Sequence, residues 1–193
     1  MAISARLKAW LDGAKVKYAA AKHPVVYTAQ EIAAAQHVPG RQLAKCVLVN
    51  TDRGAALAVL PASCLIDIKK LKVILGATSL SIAKEADIKA RFPDVEVGAM
   101  SPFGNLYQVP VVVDRQLGES EHIVFNAGSH TDTIKIRYRD FAALAAPKSG
   151  AFGQPFSGPK GKPKTGAKKT TRAGRGGKPK KAARRPAKKK SSR

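Results

Sequence analysis

The stretch Gly98-Ala-Met-Ser-Pro-Phe-Gly104 combines two glycines and a proline within seven residues. Glycine reaches backbone angles that are closed to other residues, and Pro102 fixes its own φ while restricting Ser101. A backbone of this kind can turn its amide N–H groups toward a ligand and lets the ligand approach closely. The stretch follows a helical pattern that ends at Pro93 and precedes the apolar run Val109–Val113. It therefore predicts a shaped loop that enters a buried strand, with an ordinary Gly/Pro turn as the alternative.

Helices and strands are predicted in mixed order on both sides of this loop. Hydrophobic periodicity and cap residues predict helices over 4–11, 29–36, 67–75, 81–92 and 140–146, and strands over 16–23, 43–49, 55–60, 107–114, 121–125 and 133–139. Hairpins are more frequent than long βαβ spacings. The pattern indicates an α+β fold in which a mixed, mostly antiparallel sheet is flanked by helices.

Lys45 is the most unusual residue of the predicted strands. It stands in the strand 43–49, which is apolar on both faces and is therefore predicted to be central. An ammonium in this position needs an anion, either a protein carboxylate or a ligand phosphate, unless the side chain extends to water from the strand end. The sequence leaves these alternatives open. The adjacent Cys46 is a conceivable nucleophile if a cation lowers its thiol pKa, although a mid-strand cysteine is more often a buried small hydrophobe.

Polar residues also occur in two predicted loops. His23 and Tyr27 precede a helix-capping sequence, where they either face a pocket or support the helix start. The connection 126–132 between two predicted strands carries small and polar groups that suit a ligand site. Its candidate ligand-binding residues are Gly128, Ser129 and His130.

Motifs for several common classes of protein are missing from the sequence. It has no Gly-x-Ser-x-Gly, P-loop or His-Glu-x-x-His motif, and its four histidines and two cysteines lack metal-ligand spacing. We therefore expect neither a metal nor a cofactor. No signal peptide and no apolar run of about 20 residues occurs, so we expect a cytoplasmic protein without a membrane partner.

The positive charge is concentrated at the C-terminal end. Residues 148–193 hold 17 of the 35 lysines and arginines and none of the 13 acidic residues, which leaves a net charge of +5 for residues 1–147. This composition predicts a folded domain over 1–147 and a disordered tail over 148–193 that binds nucleic acid by counterion release. The candidate nucleic-acid-binding residues of the tail are Lys168, Lys169, Arg172, Lys180, Lys181, Arg184, Arg185, Lys188, Lys189 and Lys190.

The order of these motifs along residues 3–147 resembles the YbaK/ProX family of aminoacyl-tRNA deacylases, whose domain also occurs as an editing insertion in bacterial prolyl-tRNA synthetases. The resemblance is carried by His23-Pro and Tyr27-Thr, by Lys45 in an apolar strand, by the Gly98–Gly104 loop and by Ala127-Gly-Ser-His130. It implies a curved, barrel-like sheet with surrounding helices. At position 101 many relatives carry a second proline, so Ser101 departs from the family pattern.

The resemblance also implies roles for individual residues. Amides of the 98–102 loop would hold the aminoacyl carbonyl, Lys45 would bind the terminal phosphate or the ester, and His130 would orient water or the α-amino group. The implied catalytic set is Lys45, Gly98, Ser101, Pro102 and His130, and the implied substrate-binding set is His23, Tyr27, Phe103, Gly104, Gly128 and Ser129.

Two functions of different classes follow. The first is a trans-editing hydrolase that cleaves the aminoacyl ester of mischarged tRNA. Its tail would add nonspecific tRNA affinity, and the protein would contact an aminoacyl-tRNA synthetase transiently. The alternative is a non-enzymatic nucleic-acid-binding protein with a degenerate editing domain. Lys45 and the complete Gly98–Gly104 loop favour the enzyme, because a degenerate domain needs neither.

Overall fold

Ten strands and five α-helices make up the part of the chain that the computed structural model describes, residues 3–156. The strands are β1 (Tyr18–Lys22), β2 (Ala44–Thr51), β3 (Gly54–Pro61), β4 (Cys64–Ile66), β5 (Leu80–Ile82), β6 (Val111–Asp114), β7 (His122–Asn126), β8 (Asp132–Arg137), β9 (Lys148–Gly150) and β10 (Gly153–Pro155). The helices are α1 (Ala5–Gly13), α2 (Ala29–Ala35), α3 (Ile68–Leu75), α4 (Glu85–Arg91) and α5 (Tyr138–Ala145).

The central sheet has five strands in the order β5-β2-β3-β6-β9. Strand β2 pairs antiparallel with β3 and β5, whereas β6 runs parallel to both β3 and β9. The predicted hairpin of β2 and β3 and the central place of the Lys45 strand are both observed. The mixed α/β class predicted from the sequence is therefore confirmed.

Two smaller antiparallel sheets complete the fold. One has the order β1-β8-β7, and the other pairs β10 with β4. A single isolated bridge from Leu43 to Val124 links the first of these to the central sheet. The described residues thus form three separate sheets and no closed barrel, and the expectation of one curved, barrel-like sheet is not confirmed.

Buried side chains cover both faces of the central sheet. Leu48 belongs to the larger cluster, which includes Phe103 and Phe125, and the next residue, Val49, belongs to a second cluster with Phe152. This alternation follows from the period of two of a β-strand. Each fully buried side chain of this size contributes about 1.5–3 kcal/mol of transfer free energy.

Two elements differ from the sequence prediction near the loop 98–104. The helix predicted over 81–92 begins only at Glu85, because residues 80–82 pair with the edge of β2 and the Asp87 carboxylate accepts the Lys84 N–H at 3.0 Å. The strand predicted over 107–114 begins only at Val111, because Gly104–Tyr107 forms a 3-10 turn.

The folded region extends beyond Pro147, where we expected the tail to begin. Strand β9 pairs with β6, and the Phe152 side chain is fully buried. The buried Asp114 carboxylate accepts the N–H groups of Phe152 and Gly153 at 2.7 and 2.6 Å. Residues 148–156 are therefore part of the fold. The predicted disorder of the later residues cannot be compared with the structure, because they lie outside the described residues. The same holds for the ten candidate nucleic-acid-binding residues between Lys168 and Lys190.

The helices of the described region are short. None of them has the length and apolar character that a membrane-crossing helix requires.

Candidate active site

A small cavity lies where β2, the start of α2, the Gly98 loop and the end of β7 meet. Its volume is about 40 Å³. The residues that line it are Tyr27, Ala29, Ile32, Leu43, Ala44, Lys45, Cys46, Gly98, Met100 and Asn126. Three of the predicted site residues, from three distant parts of the chain, thus share one cavity. These are Tyr27, Lys45 and Gly98.

Lys45 enters this cavity half-buried from the central strand β2. Its ammonium donates a hydrogen bond to the Cys64 carbonyl oxygen. Within the described chain no carboxylate lies within salt-bridge distance of it, so of the alternatives left open by the sequence the protein carboxylate is not observed there. Burial lowers the pKa of the Lys45 ammonium below its ordinary value. Because an ammonium has three donors, Lys45 has donors to offer to a ligand.

Gly98 places backbone at the wall of the cavity. Its φ is +89°, and a β-carbon built on it would lie 3.5 Å from Cε1 of His130. The Ala99 N–H donates to the Glu96 carbonyl at 2.9 Å, whereas the N–H groups of Gly98 and Met100 have no acceptor among residues 3–156. Glycine therefore allows this turn, and two amides stay available for a substrate oxygen.

The second half of the same loop lies in the hydrophobic core. Ser101 and Pro102 are buried, and the Phe103 ring packs edge-on against Phe125 at 5.7 Å between centroids. A β-carbon at Gly104 would lie 2.6 Å from the Val109 carbonyl oxygen. These four loop residues do not line the cavity. Phe103 and Gly104, which we predicted to bind substrate, instead fix the loop to the core.

Two of the predicted site residues are histidines with a buried, unpaired ring nitrogen, and one of them, His130, contacts the cavity-lining Tyr27. The ring of His130 lies 4.9 Å from that of Tyr27, which is 72% exposed. His130 Nε2 is 2.9 Å from the Val97 carbonyl oxygen, and His23 Nδ1 is 2.7 Å from the Pro24 carbonyl oxygen. A carbonyl can only accept, so these nitrogens donate. The other ring nitrogens, His130 Nδ1 and His23 Nε2, are buried and have no hydrogen-bond partner in the described chain.

Gly128 and Ser129 hold the adjacent loop in place through hydrogen bonds. Gly128 has a φ of +102°, and its N–H donates to the Ala99 carbonyl at 3.1 Å. The Ser129 hydroxyl is buried and donates to the Asp132 carboxylate at 2.7 Å. Burial alone would raise the pKa of Asp132, but hydroxyl hydrogen bonds from Thr131 and Ser129 hold that pKa below its ordinary value. Both predicted substrate-binding residues therefore position the loop and do not line the cavity.

Cys46 lines the cavity, but its surroundings do not activate it. Burial raises the pKa of its thiol well above the ordinary value, which contradicts the idea that the neighbouring Lys45 lowers it. The neighbouring Lys45 does not counter the effect of burial, because adjacent strand residues point to opposite faces.

Asn126 is a candidate site residue that the sequence interpretation missed. It ends β7, lines the cavity and carries a buried Oδ1 without a hydrogen-bond donor in the described chain. The available sequence signal was its place at the head of the polar connection 126–132. Residues 3–156 contain no group of three His, Cys, Asp or Glu side chains that could hold a metal ion.

Similarity to known proteins agrees with the motifs that meet at this cavity. A family model described as the aminoacyl-tRNA editing domain matches residues 23–144, which is more than half of the chain. The chain belongs to this family, the YbaK/ProX editing domains. It is also 27% identical over 148 residues to the prolyl-tRNA editing protein ProX of Acetoanaerobium sticklandii, a match that covers 74% of this chain and 90% of the relative.

Solved structures show the same fold at lower sequence identity. A crystal structure described as a candidate trans-editing enzyme for prolyl-tRNA synthetase has a TM-score of 0.70 and 18% identity, and the match covers 78% of this chain and 96% of that one. A hypothetical protein has a TM-score of 0.71 and 16% identity, with 77% and 99% covered. These likenesses show that this chain shares its fold with both solved structures.

Proposed function

We propose that this chain is a free-standing hydrolase that cleaves the aminoacyl ester of mischarged tRNA. The observation that carries the proposal is the cavity itself. Its lining residues include Lys45, the loop residues Gly98 and Met100, whose N–H groups have no acceptor in the described chain, and Asn126 with its unpaired Oδ1. Membership of the editing-domain family supports the same activity.

Each of these groups has a place in ester hydrolysis. The amides of Gly98 and Met100 donate to the carbonyl oxygen as negative charge develops on it, and one such donor is worth about 3 kcal/mol of barrier. Lys45 binds the terminal phosphate or the ester oxygen. The Asn126 Oδ1 accepts a hydrogen bond from the α-ammonium of the aminoacyl group.

The attacking oxygen comes from water, because the Cys46 thiol at the cavity is not activated and attack by a ribose hydroxyl would only move the ester along the ribose; that hydroxyl can instead help to orient the water. Water adds to the acyl carbon, the bond from that carbon to the ribose oxygen breaks, and the ribose oxygen takes the proton. The products are the free amino acid and the uncharged tRNA. The unpaired Nδ1 of His130 is a candidate acceptor for the proton of the attacking water.

The cavity volume favours a small aminoacyl group. A volume of about 40 Å³ holds a few water-sized groups, so an alanyl side chain fits and a large aliphatic or aromatic one does not. A pocket of fixed size excludes larger side chains more sharply than it rejects smaller ones. We therefore propose that tRNA carrying a small, wrong amino acid is the substrate, and that the protein contacts an aminoacyl-tRNA synthetase transiently.

The basic C-terminal residues are proposed to add tRNA affinity without selecting the amino acid. Residues 157–193 hold 16 lysines and arginines and no acidic residue, a composition that binds phosphates with little sequence preference. A chain that ends at Ser157 should show a higher KM and an unchanged kcat. A chain that ends at Pro147 is not an equivalent deletion, because it also removes Phe152 and two strands.

Hydrolysis of a panel of mischarged tRNAs tests the proposed activity. The intact chain, Lys45→Ala and the matched exposed variant Lys69→Ala would be compared for release of the amino acid. We expect the intact chain and Lys69→Ala to cleave one or a few small aminoacyl esters, and Lys45→Ala to be inactive. If no ester is cleaved above the spontaneous rate while the protein still binds nucleic acid, the enzyme is rejected in favour of the binding protein.

A further inference from the structure

An open groove of about 650 Å³ lies at one end of the β1-β8-β7 sheet. It lies at the far end of this sheet from Asn126. We call it the basic groove, because cationic side chains from three elements line it. These are Lys15, Lys17, Lys135, Arg137 and Arg139.

Most of these cations have no anionic partner in residues 3–156. Arg139 pairs with Asp140 at 3.3 Å, whereas Lys15, Lys17, Lys135 and Arg137 form no salt bridge there. The four side chains are all exposed. Like charges gathered on one surface repel one another, so their concentration favours an anionic partner with several charges.

The strand register connects the basic groove with the cavity. Lys135 lies opposite Ala19 on one side and Val124 on the other, and Arg137 lies opposite His122. Because side chains alternate, the face of β7 that carries His122 and Val124 also carries Asn126. The four steps from His122 to Asn126 span about 13 Å at the usual rise per residue.

We propose that the basic groove binds the sugar-phosphate backbone of the RNA duplex next to the aminoacylated end. This inference rests on the proposed function for the identity of the RNA. With the terminal nucleotide at the cavity, the duplex lies along the β1-β8-β7 sheet. The cations contact its phosphates and make no contact with the bases, so they raise affinity for any tRNA of the same shape.

The surroundings of the basic groove favour RNA over a lipid surface. A peripheral membrane site combines cations with apolar side chains that enter the acyl boundary. The large apolar side chains that are exposed in the described chain, among them Val73, Leu65 and Trp10, do not line the basic groove. A smaller basic surface near Lys69 does contain exposed Val73, and its Lys70 is paired with Asp67.

Equilibrium binding of an uncharged RNA hairpin tests this inference in the full chain. The hairpin has the length of a tRNA acceptor stem and a single-stranded CCA end. The groove variant carries Lys15→Gln, Lys17→Gln, Lys135→Gln and Arg137→Gln. The matched control carries Lys69→Gln, Lys84→Gln, Lys89→Gln and Arg91→Gln, which removes the same charge from exposed side chains elsewhere.

The C-terminal residues are identical in both variants, so a difference between them reports the position of the lost charges. We expect the groove variant to bind the hairpin about tenfold more weakly at 0.15 M salt, and the slope of log K against log salt to fall by about 3. The control should stay within about twofold of the unmodified chain. Equal losses in the two variants, or no loss in the groove variant, would overturn the proposal.

Two further outcomes separate the alternatives. If the groove variant loses binding to phosphatidylserine vesicles while its hairpin binding is unchanged, the groove is a lipid site and the proposal fails. If the chain cleaves no aminoacyl ester but the groove variant still loses hairpin binding, the proposed hydrolase is rejected and the RNA-binding groove is retained.

Discussion

The two ends of the β1-β8-β7 sheet differ in almost every physical property that governs ligand binding. At the Asn126 end the cavity is small, half-buried Lys45 supplies its cation, and acceptor atoms stay unpaired. At the Arg137 end the basic groove is wide and exposed and carries several cations. A small site discriminates between chemical groups by shape and by its hydrogen-bonding groups, whereas an open cationic surface binds phosphates by charge. We infer that selection of the ester and affinity for the RNA are properties of different ends.

The largest effects should come from substituting one cation at each end, which tests whether the two ends have different roles. Lys45→Ala should lower kcat/KM for the cleaved ester by about 10²–10³-fold, because it removes a donor to the reacting group. Its affinity for the uncharged hairpin should fall at most a few-fold, because no more than one phosphate contact is lost. Arg137→Gln should do the reverse, with weaker hairpin binding and an unchanged kcat.

Single-turnover cleavage and hairpin titration on the same preparations give both quantities. If Lys45→Ala acted mainly on hairpin affinity, or Arg137→Gln mainly on kcat, the division between the two ends would be wrong.

A smaller effect is expected from a β-carbon at the cavity wall. Gly98→Ala should lower kcat/KM about tenfold, because a φ of +89° strains any residue other than glycine and would shift the loop backbone at the cavity wall. Its free energy of unfolding should fall by about 1–2 kcal/mol. Gly13→Ala is the matched control, since a β-carbon there meets no atom within 4 Å.

Urea titration and ester cleavage measure the two effects separately. Equal activity in the two glycine variants would show that the Gly98 backbone does not shape the site.

The pH dependence of cleavage should report the lowered pKa of Lys45. As pH rises through that pKa the ammonium loses its proton, so kcat/KM should fall at a pH below the ordinary lysine value of about 10.4. Residual activity of Lys45→Arg should not fall there, because a guanidinium keeps its proton. The rates are taken after subtraction of spontaneous ester hydrolysis. A profile that is the same for the two proteins would exclude Lys45 as the titrating group.

The smallest expected effect concerns stability in acid. The pKa of Asp132 is lower in the folded chain than in the unfolded one, so its carboxylate stabilises the fold above the unfolded value of about 3.9. That stabilisation is lost as pH falls through the folded pKa. Asp132→Asn should therefore show a smaller loss of urea stability than the unmodified chain between neutral pH and pH 2. An identical loss in both proteins would contradict the assignment.

The parts of the fold that could be predicted from the sequence are those with local patterns. The apolar segments 43–49 and 55–60, with turn residues between them, predicted the hairpin of β2 and β3, and Thr28 with Glu31 predicted the start of α2. The strand at 148–150 has no hydrophobic alternation. It forms because β6 offers a parallel edge and Phe152 fills a buried position, and both conditions are non-local.

The site followed the same division between local and tertiary information. The unusual charge of Lys45 and the backbone freedom of Gly98 were visible in the sequence, and both line the cavity. Gly104 was assigned to the substrate because glycine suits close approach, but the close approach is to the Val109 carbonyl. Asn126 was missed because an unpaired buried oxygen is a property of the folded chain alone.

The most direct test of the central claim is the rate of ester cleavage as a function of aminoacyl size on one tRNA. The unmodified chain would be given the same tRNA charged with alanine, with valine and with phenylalanine, and kcat/KM would be measured for each. A cavity of about 40 Å³ predicts that the alanyl ester is cleaved about a hundredfold faster than the larger two. Equal cleavage of all three, or a preference for the phenylalanyl ester, would show that this cavity does not select the substrate.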